Sequence, residues 1–133
     1  MKTQSTFQKR RNTILAMLCT GTMLIGCKQA TTVPDDFTRV TQLEIDNYIG
    51  KKIQLNDNFI MLSDDGTFTG QWNEGPIAGD WEMKEDYWCR VLTEFYQPER
   101  LNQEDCQIWE ANGSMLRGTR DKGTGKSFVY TVK

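Results

Sequence analysis

The chain has 133 residues, of which 38% are hydrophobic and 26% are charged, and its formal net charge is −2. This length suits one small domain and is too short for a multidomain enzyme. The sequence contains no histidine, which excludes His-based catalytic triads, histidine zinc sites and acid/base catalysis by histidine.

Residues 1–26 have the features of a secretory signal peptide. Four basic residues and no acidic residue accompany a mostly apolar stretch at 14–26. That stretch has about 13 residues, whereas a spanning helix needs roughly 20. We therefore expect the segment to be cleaved off after export rather than kept as a transmembrane helix.

The sequence Leu24-Ile25-Gly26-Cys27 resembles the bacterial lipoprotein box, in which a small residue precedes the cysteine that becomes the lipidated amino terminus. The resemblance implies a diacylglycerol thioether on Cys27 and a further acyl chain, such as palmitate, on its amino group. Several acyl chains anchor a protein far more firmly than one. The alternative is an ordinary cysteine beside a conventional signal-peptidase site.

The residue after Cys27 is Lys28 and not Asp, which by analogy with Gram-negative lipoproteins implies the outer membrane. We expect a lipid-anchored protein of the bacterial cell envelope that faces the periplasm. Residues 27–40 are then the lipidated terminus and a flexible tether, since 28–39 is polar, Thr-rich and without a periodic apolar face.

Removal of the leader makes the remaining chain acidic. The leader holds four of the 16 basic residues and none of the 18 acidic ones, which leaves 12 against 18 and a net charge of about −6. No basic stripe for a phosphate backbone is present, so we expect no nucleic-acid binding. An acidic surface favours a cationic partner or simply solubility.

Cys89 and Cys106 are the remaining thiols when Cys19 is removed with the leader and Cys27 is lipidated. In an oxidising compartment we expect them to form a disulfide. The closed loop of about 18 residues corresponds to roughly 3 kcal/mol of stabilisation. A metal-binding pair would need further ligands, and with neither a Cys-x-x-Cys motif nor a histidine we predict no metal and no cofactor.

Residues 41–133 are predicted to form the domain, which begins with one short helix of about two turns at 41–50. Thr41 and Glu44 have the spacing of a capping box, and Gly50 suits a left-handed C-terminal cap. The predicted apolar face, which would cover the domain as a plug or lid, consists of Leu43, Tyr48 and Ile49.

After Gly50 the apolar residues alternate with period two, and turn residues recur every eight to twelve positions. This pattern predicts a mainly β fold, a small antiparallel meander of about eight strands that forms a lipocalin-like barrel or a sandwich. The predicted strands are 51–55, 58–62, 67–72, 77–84, 87–95, 106–111, 114–120 and 126–132. Strands this short favour an interior filled by side chains, the four tryptophans among them.

Alternation in strand 87–95 places Trp88, Arg90 and Leu92 opposite the face of Cys89, and Trp109 also lies opposite the cysteines. Exposed aromatic residues at a polar surface often mark binding. The predicted binding surface consists of Trp88, Arg90, Trp109, Glu74 and Asp80. A slip of one residue near the disulfide would instead bury both tryptophans.

Three arginines of the predicted sheet, Arg90, Arg117 and Arg120, allow two interpretations. They could line a small anion site, or they could pair with Glu82 and Glu110 across neighbouring strands, which is the more common arrangement. We predict no catalytic residues.

Four segments resemble a family of small exported alphaproteobacterial proteins of unknown function: DGTFTG at 65–70, GDWEMKEDYWCR at 79–90, DCQ at 105–107 and TRDKGTGKS at 119–127. Members share a G-x-W-x-W-K-x-x-Y-x-C-R core and a second cysteine before a final hairpin, and Met83 stands where the family has its second tryptophan. The resemblance covers most of 50–133 and implies fold and export but no catalytic residues. A weaker likeness is to small lipoprotein inhibitors of lysozyme, which are short disulfide-bridged β-barrels, although their binding motif is not evident.

These features together predict a non-enzymatic, lipid-anchored envelope protein that binds a partner through the surface around Trp88 and Trp109. One alternative is a lipocalin-like carrier of a small apolar ligand. Another is an inhibitor of a cationic hydrolase such as lysozyme. The expected partners are the membrane, through the lipid anchor, and either an envelope protein or a small apolar ligand.

Overall fold

The computed structural model describes residues 35–133. The predicted signal peptide, the lipidation site at Cys27 and most of the predicted tether lie outside these residues. Within 35–133, no helix combines the length and the apolar character needed to cross a membrane.

Within residues 35–133, nine strands form one antiparallel sheet. They are β1 (Thr38–Arg39), β2 (Lys52–Leu55), β3 (Asn58–Leu62), β4 (Thr67–Trp72), β5 (Gly75–Lys84), β6 (Tyr87–Glu94), β7 (Glu104–Asn112), β8 (Met115–Thr119) and β9 (Ser127–Val132). Strands β2 to β9 each pair with the next, and β9 also pairs with β2, with Ile53 opposite Val132. The prediction of a lipocalin-like β fold is therefore confirmed, in the form of a closed eight-stranded barrel with one extra strand.

The tight turns follow from residues that tolerate positive φ. Asn73 and Glu74 have φ of 48° and 64°, and Glu85 and Asp86 have φ of 50° and 61°. Two consecutive residues at positive φ match the right-handed twist of the strands they connect, so β4–β5 and β5–β6 are joined by tight hairpins.

The extra strand β1 shortens the predicted tether. Only residues 104–107 of the long strand β7 pair with β6, and further along β7 the edge is taken by β1, with Thr38 opposite Ala111. Val40 continues this contact, since its N–H donates to the carbonyl of Trp109 at 2.8 Å and its side chain is buried. The prediction that the tether extends to residue 40 is therefore wrong for residues 38–40.

The predicted two-turn helix is a 3₁₀ helix at Ile45–Tyr48. The carboxylate of Glu44 accepts a hydrogen bond from the N–H of Thr41 at 3.0 Å, as in a capping box, but the Thr41 hydroxyl donates to the same carboxylate and caps no N–H. A 3₁₀ helix has three residues per turn, so Ile45 and Tyr48 lie on one side. Ile45 is buried, and the Tyr48 ring meets the Trp109 ring edge-on at a centroid distance of 6.2 Å. Leu43, which is predicted to lie on this apolar face, is instead 91% exposed.

The cysteines form the predicted disulfide. Cys89 in β6 lies directly opposite Cys106 in β7, and the bond joins them on the face of the sheet opposite Trp88, where Cys89 is 2% exposed. Glu104 lies close to both sulfurs, but sulfurs joined to each other are not available as thiolate metal ligands.

Candidate ligand cavity at the open end of the barrel

Trp88 and Trp109 lie inside the barrel. Each is 1% exposed, and their rings stack at a centroid distance of 4.3 Å. The prediction that they form an exposed binding surface is therefore wrong. The alternation correctly places them opposite the cysteines, but closure of the sheet makes that face the interior and puts the disulfide on the outside.

The other residues of the predicted surface lie apart from one another. Arg90 shares the interior face with Trp88, with its guanidinium carbon 5.7 Å from the centre of the Trp88 ring. Asp80 is exposed on β5, opposite Val91 of β6, and Glu74 is in the β4–β5 turn. The structure thus brings together Trp88, Arg90 and Trp109 and leaves Glu74 and Asp80 elsewhere.

One end of the barrel interior is covered by residues 41–50, where Tyr48 packs on Trp109 and the Gly50 N–H donates to the carbonyl of Leu62 at 2.9 Å. The opposite end holds a cavity of about 200 Å³, which we call the mouth cavity. It is lined by Trp72, Ile77, Arg90, Phe95, Tyr96, Arg100, Gln107, Arg120, Phe128 and Tyr130.

The apolar wall of the mouth cavity comes from strand ends and from the long β6–β7 connection. Trp72 ends β4, and Phe128 and Tyr130 lie on the inward face of β9. Phe95 and Tyr96 follow β6 with their rings 4.4 Å apart. The connection is held against the barrel because the N–H of Asn102 donates to the carbonyl of Leu92 at 2.9 Å.

A row of polar side chains on β7 leads from the core to the mouth cavity. Asp105, Gln107 and Trp109 alternate inward along the strand. The indole N–H of Trp109 donates to Oε1 of Gln107 at 3.3 Å, and Nε2 of Gln107 donates to Oδ2 of Asp105 at 2.9 Å. Gly118 gives this row its space, since an added Cβ there would lie 3.2 Å from Oε1 of Gln107.

Asp105 is the carboxylate beside the arginines of the cavity. Its Oδ2 accepts a hydrogen bond from Nε of Arg120 at 3.0 Å and lies 3.6 Å from Nη2 of Arg90. Burial on its own would raise the pKa of Asp105, but the hydrogen bond from Gln107 and the charges of Arg90 and Arg120 outweigh it and lower the pKa. Asp105 is therefore ionised at neutral pH.

Arg90 is the most enclosed cation of the site, with a side chain that is only 14% exposed. Burial lowers the pKa of its guanidinium, while Asp105 acts in the opposite direction. An arginine nevertheless stays protonated in proteins. Its Nε is buried and has no hydrogen-bond partner within residues 35–133, and the same holds for Oδ1 of Asp105.

All three arginines of the two interpretations make ion pairs. Arg117 donates to Glu110 at 2.9 Å and pairs with Asp35, so it makes the predicted cross-strand pair. Arg90 lies directly opposite Asp105 and, like Arg120, pairs with it, while both arginines also line the mouth cavity. Arg100 and the aromatic wall are not among the residues predicted from the sequence, although the adjacent pair Phe95-Tyr96 at the end of a strand was an available signal for the wall.

Comparison of the chain with profiles of known protein families, with curated proteins and with solved structures finds no match. The function of the cavity is therefore argued from its own geometry and chemistry.

Proposed function

We propose that the protein is a non-enzymatic carrier that binds a small, mainly apolar ligand in the mouth cavity. The observation that carries this proposal is a cavity walled by five aromatic side chains at one end of a closed barrel. Ligand sites are typically concave and mainly apolar, with a few polar groups that orient the ligand, and the mouths of β-barrels are among their usual places.

The size of the cavity limits the ligand. An engineered apolar cavity of about 150 Å³ takes up benzene, and pockets for drug-sized ligands begin at about 300 Å³. The mouth cavity, at about 200 Å³, is thus suited to one ring with a small substituent or to a short branched chain. Two of the four tryptophans, Trp88 and Trp109, are buried in the core, which removes them as a docking surface for a partner on the outer wall.

We further propose that the carrier is lipid-anchored through Cys27 and faces the periplasm from the outer membrane. The support for this is the basic, apolar leader and the lipoprotein-like box before Cys27. Native mass spectrometry of the chain produced with its own leader and extracted gently from its membranes tests this point, because one spectrum reports acyl chains on Cys27 and any retained passenger. A chain recovered without acyl mass would contradict the anchor and leave the carrier proposal standing.

Binding in the mouth cavity is tested with benzene and toluene as neutral probes, measured by calorimetry on the same preparation. Phe128→Trp adds bulk to the cavity and should weaken binding by about tenfold, a change of 1.4 kcal/mol. Val129→Trp is the matched control, since Val129 is the next residue and points outward, where it is 47% exposed. If Phe128→Trp binds the probes as well as Val129→Trp does, the ligand site is elsewhere.

A further inference from the structure

We propose that the ligand of the mouth cavity is a small carboxylate, with its apolar body against the aromatic wall and its anionic group on Arg90, Arg100 and Arg120. This inference rests on the proposed function and names the ligand class. It is carried by the placement of charge in the cavity and by a buried donor that has no partner.

The first observation is that cations are concentrated in one place on an acidic protein. Residues 35–133 contain 18 acidic and 11 basic residues, and five of the basic ones are arginines. Three of these five line the mouth cavity, and no carboxylate is among the ten residues that line it. The same three arginines also line an adjoining polar cavity of about 130 Å³, where Glu104, Asp105 and Asp121 accompany them, so the lining without carboxylates is confined to the mouth cavity.

The second observation is that, within residues 35–133, Arg100 makes no ion pair and Arg90 makes only a long one. Asp105 carries one negative charge, and its Oδ2 already accepts hydrogen bonds from Arg120 and Gln107. Its contact with Arg90 is a longer one, at 3.6 Å. Within the described chain Arg100 makes no ion pair, and its guanidinium lies 5.5 Å from the centre of the Phe95 ring.

The third observation is the Nε of Arg90, which is buried without a hydrogen-bond partner among residues 35–133. A buried donor that has lost water and gained no acceptor is costly, so such groups in native structures call for an explanation. An anionic ligand in the cavity would supply the acceptor. The guanidinium presents its N–H groups as a planar fork that matches the two oxygens of a carboxylate.

The aromatic wall distinguishes an apolar carboxylate from a free inorganic anion. Trp72, Phe95 and Phe128 offer ring surface, which an inorganic ion would leave unoccupied. Burial of an apolar body against this surface adds affinity in proportion to the area removed from water. We therefore expect benzoate, phenylacetate or hexanoate to fit, and inorganic phosphate to bind weakly.

The test compares each of these acids with its neutral amide, which has nearly the same shape. The protein is the chain produced with its own leader, and binding is measured by calorimetry in the detergent used for purification, with the detergent alone as blank. At least one acid should bind about tenfold or more tightly than its amide, as is typical of a hydrogen bond to a charged group compared with a neutral one.

Two variants locate the charge effect. Arg90→Gln should reduce the preference for acid over amide to within about threefold, and Arg100→Gln, at the rim, should reduce it partly. Lys51→Gln removes the same charge from an exposed residue at the covered end of the barrel and should leave the preference unchanged. Should Arg90→Gln fail to fold, Arg100→Gln and the comparison of acids with amides on the unaltered protein still test whether the cavity prefers a carboxylate.

Three results would overturn the inference. If the amides bind as tightly as the acids, or if inorganic phosphate binds as tightly as the best acid, the cavity is a ligand site of another class and the proposed function stands. If Lys51→Gln lowers the preference as much as Arg90→Gln does, the effect comes from overall charge. If neither acids nor amides nor the neutral probes bind, the proposed function itself fails and the inference with it.

Discussion

Removal of the disulfide by the double substitution Cys89→Ala and Cys106→Ala should destabilise the barrel by about 3 kcal/mol. The two cysteines are 17 positions apart, and loop-closure entropy for a loop of this length gives about 3 kcal/mol at 25 °C. The enclosed chain includes the β6–β7 connection with Phe95, Tyr96 and Arg100. Without the bond the unfolded chain gains conformational entropy, whereas the folded barrel keeps the β6–β7 ladder on either side of the lost bond.

Urea unfolding followed by tryptophan emission measures this loss, since the buried Trp88 and Trp109 report on the core. With a slope of about 1–3 kcal/mol per molar urea for a small protein, the midpoint should fall by about 1–3 M. The melting temperature should fall by about 10–25 °C. The parent protein in reducing agent should unfold at the same midpoint as the double variant. A loss below about 1 kcal/mol would contradict the loop-entropy estimate, because it would mean that the unfolded chain keeps the two strands together without the bond.

Three further predictions concern the core and the polar row. Gly79→Ala should lower the free energy of unfolding by about 3 kcal/mol or more in urea, because an added Cβ would overlap a backbone carbonyl of β6. Gly75→Ala is the control and should be nearly neutral, since its Cβ would come no closer than 3.7 Å to any neighbour. Equal losses of stability in the two variants would contradict this packing. Tyr48→Ala should cost about 2 kcal/mol by removing the ring that packs on Trp109, with the exposed Leu43→Ala as the unaffected control. Asp105 has a lowered pKa in the folded state, so its stabilising contribution is present above the unfolded pKa of about 3.9 and is lost as the pH falls through the folded value. Asp105→Asn should therefore lose less stability between pH 7 and pH 3 than the parent does, and an equal loss would show that Asp105 does not titrate as described.

Most of the sheet could be predicted from the sequence because its turns are formed by residue types with a local conformational preference. Asn73-Glu74 and Glu85-Asp86 adopt positive φ, and such turns fix where strands end regardless of the rest of the fold. The strands β3 and β4 begin and end where the alternation predicts. The two-residue strand β1 could not be predicted, because Thr38 and Arg39 pair with the part of β7 that extends beyond its pairing with β6, and the alternation does not show where that pairing ends.

The candidate site was harder to predict because alternation separates two faces without saying which one is inside. In β6, Tyr87, Cys89 and Val91 alternate with Trp88, Arg90 and Leu92, so both faces carry apolar residues. Closure of the barrel decides between them, and closure depends on pairing between β2 and β9, which are far apart in the sequence. The 3₁₀ helix likewise involves a contact between residues far apart in the sequence, that of Tyr48 with Trp109.

The position of Arg90 carries the functional argument furthest. Replacement of buried ion pairs by apolar residues is often neutral or stabilising in small proteins, so stability alone gives little reason to keep one. Here the enclosed guanidinium lies between the stacked tryptophans of the core and an aromatic cavity that opens at the end of the barrel. The row from Trp109 through Gln107 to Asp105 holds the carboxylate on one side of Arg90 and Arg120. Asp105 therefore lies on one side of the arginines, and the mouth cavity on the other is lined by Arg90, Arg100 and Arg120 without a carboxylate, which is where the proposed anionic ligand would meet them.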